Sequence, residues 1–486
     1  MSTIENINKK MTNYRWTICT LLFAATTINY LDRQVLSLLQ PILAEEFHWK
    51  DTDYGTITSA FSLAYAIFML FAGRFIDWMG TKKGYVWAIA LWSVGAMAHA
   101  LCGILTEKVT GLENADALRN VTDPAMISTI VTVSVIMFVG ARMMLALGEA
   151  GNFPAAIKST AEYFPKRDRA FSTGIFNSGA NVGAILAPLT VPFMAKAWGW
   201  EAAFIVVGAI GFLWIIAWVI FYHPMDKNKK VNEAERAYIL QDDEKDKKLT
   251  EGVEVVKKMS FWKCLSFKQT WAFAFGKFMT DGVWWFFLFW TPAYLKAEYG
   301  MAPEQVALPI GLLYTLTVFG SVFGGKFPTY FINKGMNPYA GRMRAMLIIA
   351  FFPLLVLLAQ PLGHLSFLGN AGYWIPVLLI GIGGSAHQAW SANIFSTIGD
   401  MFPKNAIATI TGIGGMAGGI GSFLINKGSG MLFDFSGASW QSYEFLGASG
   451  KSLGYMIVFS FCAVAYLIGW IVMKTLVPKY KPIQAS

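Results

Sequence analysis

Charge is scarce in this chain. Asp, Glu, Lys and Arg make up only 14% of its 486 residues, whereas hydrophobic residues make up 55%, at a mean hydropathy of +0.46. No ordinary soluble domain of this size has that balance, so the composition points to a bilayer. Cysteine is sparse too: Cys19, Cys102, Cys264 and Cys462 are scattered without CxxC spacing, which argues against a disulfide framework or a metal site. No ATP-binding P-loop and no nucleophile elbow are read in the chain, so an enzyme is not expected and no cofactor is implied.

What the chain has instead is long apolar runs. Twelve are long enough to cross about 30 Å of hydrocarbon, at 14–37, 54–78, 84–105, 127–150, 169–195, 200–222, 269–296, 303–333, 340–360, 371–399, 404–431 and 452–475. The expected class is an all-α membrane protein. With both termini in the cytoplasm, 29 of the 39 Lys and Arg fall in cytoplasmic segments, seven outside, and three (Arg33, Arg142, Lys277) within helices. The net charge of +9 is then a topology signal, and basic runs such as Lys227, Lys229 and Lys230 face anionic lipid rather than nucleic acid. The first apolar run continues into Asn29, Asp32 and Arg33 without a small-residue cleavage site, so it is read as a retained helix. A multi-pass inner or plasma membrane protein follows, expected as a monomer.

A polar segment, 223–268, divides the chain into a six-helix half at 1–222 and another at 269–486. Within it, the periodicity from Glu233 to Leu240 predicts a short cytoplasmic helix against the bundle, and the Lys/Glu-rich remainder reads as a mobile linker. The halves repeat. Phe164-Pro165-Lys166, Gly174 and Gly183 recur as Phe402-Pro403-Lys404, Gly412 and Gly421, an offset of 238, and Gly73-Arg74-Phe75 recurs as Gly325-Lys326-Phe327, an offset of 252. Parallel repeats of this kind place a pseudo-two-fold axis along the membrane normal and a solute site between the halves. The glycines crowding the eleventh run, from Gly412 to Gly421, are read as close helix packing. The polar stretch Thr106–Asp123 should lie outside, with no role assigned.

Beyond their opening turns, the first and fourth of these runs carry four charges: Asp32, Arg33, Arg142 and Glu149. A charge at the bilayer centre costs roughly 3 kcal/mol on insertion scales, so these residues mark function. Asp32 points about 100° away from Arg33 around the helix and is free to carry a proton. Arg142 and Glu149 return to nearly one face about 10 Å apart, too far to pair along a regular helix. Glu149 is a second proton-coupling candidate, and Arg142 is its electrostatic modulator or a partner of Asp32.

The pattern resembles the major facilitator superfamily. The loop Gly73-Arg74-Phe75-Ile76-Asp77-Trp78-Met79-Gly80-Thr81-Lys82-Lys83 is similar to that superfamily's cytoplasmic signature. Asn29-Tyr30-Leu31-Asp32-Arg33, then Arg142 and Gly148-Glu149-Ala150-Gly151-Asn152-Phe153-Pro154, resemble its anion:cation symporters. Gly383-Gly384-Ser385-Ala386-His387-Gln388-Ala389-Trp390-Ser391 resembles the hexuronate (glucuronate and galacturonate) carriers among them. The resemblance implies a twelve-helix, two-half fold, with a sugar acid and protons as the transported partners. Carriers of galactonate, glucarate or tartrate remain open alternatives.

A sugar acid presents a carboxylate and several hydroxyls. Arginine suits the carboxylate because its planar guanidinium makes paired bonds, so Arg33 is the expected clamp, with Asn29 one turn below it. The resemblance places Tyr65 beside them. The repeat offset puts His387 at the position of Glu149, followed by Gln388, Ser391 and Asn393 as hydroxyl partners. His387 either titrates or is hydrogen-bonded between helices. Trp284, Trp285 and Trp390 either stack on a pyranose face or pack. Lys277 and Asp281, at i and i+4, read as a gate, and Arg74 and Asp77, with Lys82 and Lys83, as a rim latch between the halves in the outward-open state.

Overall fold

The computed structural model describes residues 11–250, 259–365, 369 and 371–483. Part of the expected linker, 251–258, lies outside the described residues. The helices run in the order α1 (Tyr14–Glu46), α2 (Asp51–Met79), α3 (Thr81–Thr110), α4 (Ala115–Arg119), α5 (Pro124–Glu149), α6 (Asn152–Tyr163), α7 (Lys166–Trp198) and α8 (Trp200–Phe221). Then come α9 (Glu233–Thr250), α10 (Phe261–Leu265), α11 (Lys268–Tyr299), α12 (Ala307–Ile332), α13 (Pro338–Phe351), α14 (Ala359–Gly363), α15 (Trp374–Met401), α16 (Lys404–Ser439) and α17 (Gly450–Leu476). A 3-10 stretch, Phe352–Leu358, joins α13 to α14. Pro353 lies at its start, where a residue without an N–H interrupts the α-helical ladder. Strands β1 (Glu444–Phe445) and β2 (Ala448–Ser449) form a small hairpin before α17, with Leu446 and Gly447 at positive φ.

Among the described residues, eight helical stretches are long and apolar enough to cross a membrane: α2, α3, α5 continued through α6, most of α7, α8, α12, Pro338–Gly363 and α17. Four more, α1, α11, α15 and α16, have 33, 32, 28 and 36 residues. Three of these four carry most of the polar site candidates, which lowers their hydropathy. Several helices also outrun the apolar stretches that announce them. α1 continues from the expected 37 to Glu46, because a helix need not end where the hydrocarbon does. α9 likewise runs on past Leu240 to Thr250, where a linker was expected. Its Glu- and Lys-rich composition favours helix.

α1 packs on α7 and α8, α3 on α5 and α8, and α2 on α5; in a second set α11 packs on α16 and α17, and α12 on α15. Two glycines show how alike the sets are. On α7, Gly183 presses against the backbone carbonyl of Thr27 in α1, and on α16, Gly421 presses against that of Phe278 in α11. A Cβ at either position would collide with backbone, so small residues 238 positions apart set equivalent close approaches.

Between the sets, α2 meets α16, α7 meets α12 and α1 meets α11. Polar contacts between them gather at the end remote from the chain termini. Asp434 accepts from the backbone N–H groups of Asp51 and Thr52, Lys451 pairs with Asp51 at 2.5 Å, Lys427 donates to Thr56 at 2.6 Å and Lys296 donates to the Pro41 carbonyl at 3.1 Å. The Tyr54 hydroxyl donates to the Phe289 carbonyl at 2.6 Å, and Lys196 pairs with Glu304 at 3.4 Å.

The stretch between α3 and α5, unassigned from sequence, also has a place. α4 is pinned to the end of α1 by Arg119–Glu46 at 2.6 Å and by His48 against the Leu118 carbonyl at 2.9 Å. At the terminal end, Glu235 of α9 is buried against the start of α1. It accepts from the Tyr14 and Arg15 backbone N–H groups and pairs with the Arg15 guanidinium at 3.0 Å. The first amides of a helix have no intrahelical partner, so this carboxylate caps α1 from another element.

Candidate functional site

The α5–α6 break builds the site. Pro154 has no N–H, and its ring would clash with the carbonyl of Ala150 in a continuous helix, so α5 ends at Glu149 and α6 starts anew at Asn152. Gly148, one residue earlier, presses on the backbone of Trp92 in α3, which fixes this corner closely. Glu149 therefore stands at the end of α5 facing α1.

There it meets Arg33. The Arg33 Nη2 and Nε donate to Glu149 Oε2 at 2.6 and 3.0 Å, and Nη2 also approaches Asn29 Oδ1 at 3.4 Å. Both charged residues are buried, with side-chain exposures of 4% and 0%. Four rings surround the guanidinium: Tyr30 at 4.8 Å, Tyr65 at 4.9 Å, Trp285 at 5.0 Å and Phe61 at 5.5 Å. Trp285 comes from α11, so the second helix set supplies one wall of the box. A cation over ring faces gains electrostatic attraction that strengthens out of water.

Arg142 lies close by, its guanidinium 5.2 Å from the centre of the same Phe61 ring, and its Nη2 donates to the Arg33 carbonyl at 3.3 Å. Its Nε and Nη1, both Asp32 carboxylate oxygens and Glu149 Oε1 are buried without a hydrogen-bond partner among the described residues. Glu149 thus turns to Arg33 rather than Arg142, and no Asp32–Arg142 ion pair forms among the described residues. Unpaired buried polar groups are costly in a static core and are found where function needs them.

The second set places its candidates apart. His387 is hydrogen-bonded to the Tyr466 hydroxyl at 2.9 Å and stacks on Trp284 at 5.2 Å with 7° between planes. Trp390 is fully buried edge-on to Tyr466, and Asn393 donates to the Gly324 and Ala389 carbonyls, tying α15 to α12. Gln388 and Ser391 are half-buried and make no hydrogen bond among the described residues. Lys277 and Asp281 pair at 2.7 Å along α11, with Lys277 over the Phe395 ring at 4.4 Å. At the rim, Asp77 pairs with Lys158 of its own set at 2.9 Å, Lys82 donates to the Val219 carbonyl, and Arg74 and Lys83 are exposed.

Sequence reasoning missed the Arg33–Glu149 pair and the rings of Tyr30 and Phe61. A signal existed for the rings: Tyr30 precedes Arg33 by three residues and Phe61 precedes Tyr65 by four, so each pair shares a helix face. It also missed a letter match to GxSxG at Gly450-Lys451-Ser452-Leu453-Gly454. Ser452 donates to Glu298 at 2.7 Å, and Glu298 stands between it and His364, so the hydroxyl meets a carboxylate and no imidazole contacts it among the described residues.

A bundle of long helices in two like sets, with a buried ion pair where they meet, is an arrangement suited to a membrane transporter. The sequence pattern of the Major Facilitator Superfamily matches residues 22–425, and the chain belongs to that family. It is 29% identical to the hexuronate transporter of Escherichia coli (strain K12) over 480 residues, 98% of this chain and 97% of that one. It is also 29% identical to the galacturonate transporter of Dickeya chrysanthemi over 323 residues, 66% of this chain and 84% of that one. The crystal structure of a bacterial homolog of the human lysosomal transporter Spinster, inward-facing and unoccupied, shares the fold at a TM-score of 0.69 and 17% identity, covering 97% of this chain and 99% of that one. Fold and relatives are those of transporters rather than enzymes.

Proposed function

We propose that this protein is a proton-coupled symporter that imports a sugar acid, a hexuronate first among them, across a bacterial inner membrane by alternating access through twelve spans in two halves, 1–222 and 269–486. The termini are cytoplasmic, so the end where Asp434 meets α2 is the outer end, and the conformation is closed outside. The observation that carries this reading is the Arg33–Glu149 pair inside its aromatic box. Arg33 has the geometry to hold a carboxylate, and it already holds that of Glu149.

Coupling follows from that exchange. A substrate carboxylate and the Glu149 carboxylate compete for one guanidinium, so arrival of substrate and protonation of Glu149 favour each other. Asp32, without a hydrogen-bond partner among the described residues, is the second proton carrier, and the neighbouring Arg142 biases both. Aromatic faces at Tyr65 and Trp285 take the sugar ring, and Gln388 and Ser391 its hydroxyls.

The test is labelled uptake into proteoliposomes under an imposed pH gradient, with glucuronate, galacturonate, galactonate, glucarate and tartrate as competitors and a protonophore control. Hexuronates should compete best and the protonophore should abolish accumulation. Competition by tartrate alone would overturn the substrate class.

A further inference from the structure

We infer that Asp434 is the bolt of an outer gate: a carboxylate of α16 that holds the first two amides of α2 and must let go before solute can enter. This rests on the orientation proposed above. α2 begins at Asp51; Asp53 accepts from the Lys50 N–H at 2.8 Å, which leaves the Asp51 and Thr52 N–H groups to be met from elsewhere. The first N–H groups of a helix lack intrahelical partners and carry a partial positive charge. Here Asp434 Oδ1 accepts from the Asp51 N–H at 3.0 Å and Oδ2 from the Thr52 N–H at 2.8 Å, one carboxylate spanning both amides from the opposite helix set.

The surroundings fit a joint that opens. Asn426, Gly430 and Asp434 recur every four residues and so line one face of α16. Gly430 presses on the backbone of Asp51, and a Cβ on Gly55 would stand 2.8 Å from the Asn426 carbonyl, so these glycines let the two backbones touch. Around the bolt, Lys451 reaches Asp51 at 2.5 Å and Lys427 reaches Thr56 at 2.6 Å, so two cations of the second set stand across the seam from α2. Asp434 is half-buried, and the Lys451 side chain is 35% exposed, so water can take over every group when the seam parts. The Arg33–Glu149 pair, by contrast, has no such replacement. Directly below the seam, Tyr54 bonds the Phe289 carbonyl and Phe61 leans on Trp285 at 5.6 Å, so the joint roofs the aromatic box. Parting α2 from α16 at Asp434 is therefore the motion that uncovers Arg33 from this side.

The experiment uses the full-length protein in proteoliposomes with spin labels at the exposed positions Glu45→Cys and Tyr443→Cys, one on each helix set. Pulsed dipolar spectroscopy reads their separation without any substrate. Asp434→Ala should raise the population of the longer distance about tenfold, lower the apparent KM for external substrate and reduce Vmax, whereas Asp434→Glu keeps a carboxylate and should stay near the parent. An unchanged distance distribution in a folded Asp434→Ala protein overturns the gate, as does a loss of Vmax with KM unmoved, the mark of a brace. Labelling of Glu45→Cys by an impermeant thiol reagent in intact cells checks the orientation separately, and its failure overturns the outer assignment.

Discussion

Glu149→Gln is the perturbation that separates competition at Arg33 from mere structural pairing. Two N–H donors of Arg33 converge on a single Glu149 oxygen at 2.6 and 3.0 Å, with both side chains almost out of reach of water. A hydrogen bond to a charged group contributes about 1.5–3 kcal/mol net. Glutamine keeps an acceptor oxygen but gives up the charge, so a bound substrate carboxylate no longer displaces an anion. Ligand affinity should rise roughly ten- to a hundredfold, since about 1.4 kcal/mol is tenfold. The sign of the pH effect follows as well: in the parent, acid protonates Glu149 and frees Arg33, so glucuronate binds more tightly as pH falls, and Glu149→Gln should flatten that slope. Titration calorimetry on purified protein at acidic and alkaline pH reads both quantities. Equal or weaker binding by Glu149→Gln would refute the competition.

The remaining expectations concern neighbours of that pair and the frame that holds it. Arg33→Lys keeps the charge but loses the two-donor geometry, and calorimetry should show affinity at least about tenfold weaker; unchanged affinity removes Arg33 from the clamp. Asp32→Asn should retain counterflow exchange while losing proton-driven accumulation, and full accumulation would discharge Asp32 from coupling. Gly183→Leu drives a side chain into the Thr27 carbonyl, so Tm should fall, with about 1–3 kcal/mol of destabilisation; an unshifted Tm contradicts the close α1–α7 approach. Glu235→Ala strips the cap from α1 and leaves Arg15 without its partner, a change of about 3–5 kcal/mol that a thermal melt will register.

Much of the site was legible because helical periodicity acts within one helix. Asn29 and Arg33, four apart, do approach each other, and Asp32 does turn elsewhere. Contacts between helices were not legible, because a helical wheel says which residues share a face but not which face meets which. That is why Glu149 emerged as a partner of Arg33 only in three dimensions, and why Asn393, a plausible hydroxyl ligand by spacing, proves to spend its donors on the Gly324 and Ala389 carbonyls. The repeat offset of 238 correctly paired Gly183 with Gly421, since equivalent helices make equivalent approaches. It said little about His387 and Glu149, whose surroundings differ: one stacks on Trp284, the other grips an arginine. Asp434 drew no notice in the sequence, because a lone aspartate near a helix end is ordinary until the first amides of α2 are seen beside it.

In the proposed symport a sugar acid and protons share one site through Arg33 and Glu149. Substrate-induced current from proteoliposomes on a solid-supported membrane tests it most directly. If Asp32 and Glu149 each carry a proton with a monovalent hexuronate, every cycle moves one net positive charge inward, driven by about 2.3 kcal/mol per 100 mV. Glucuronate should therefore evoke an inward positive current in the parent that disappears in Glu149→Gln despite its tighter binding. An undiminished current in Glu149→Gln would contradict the account.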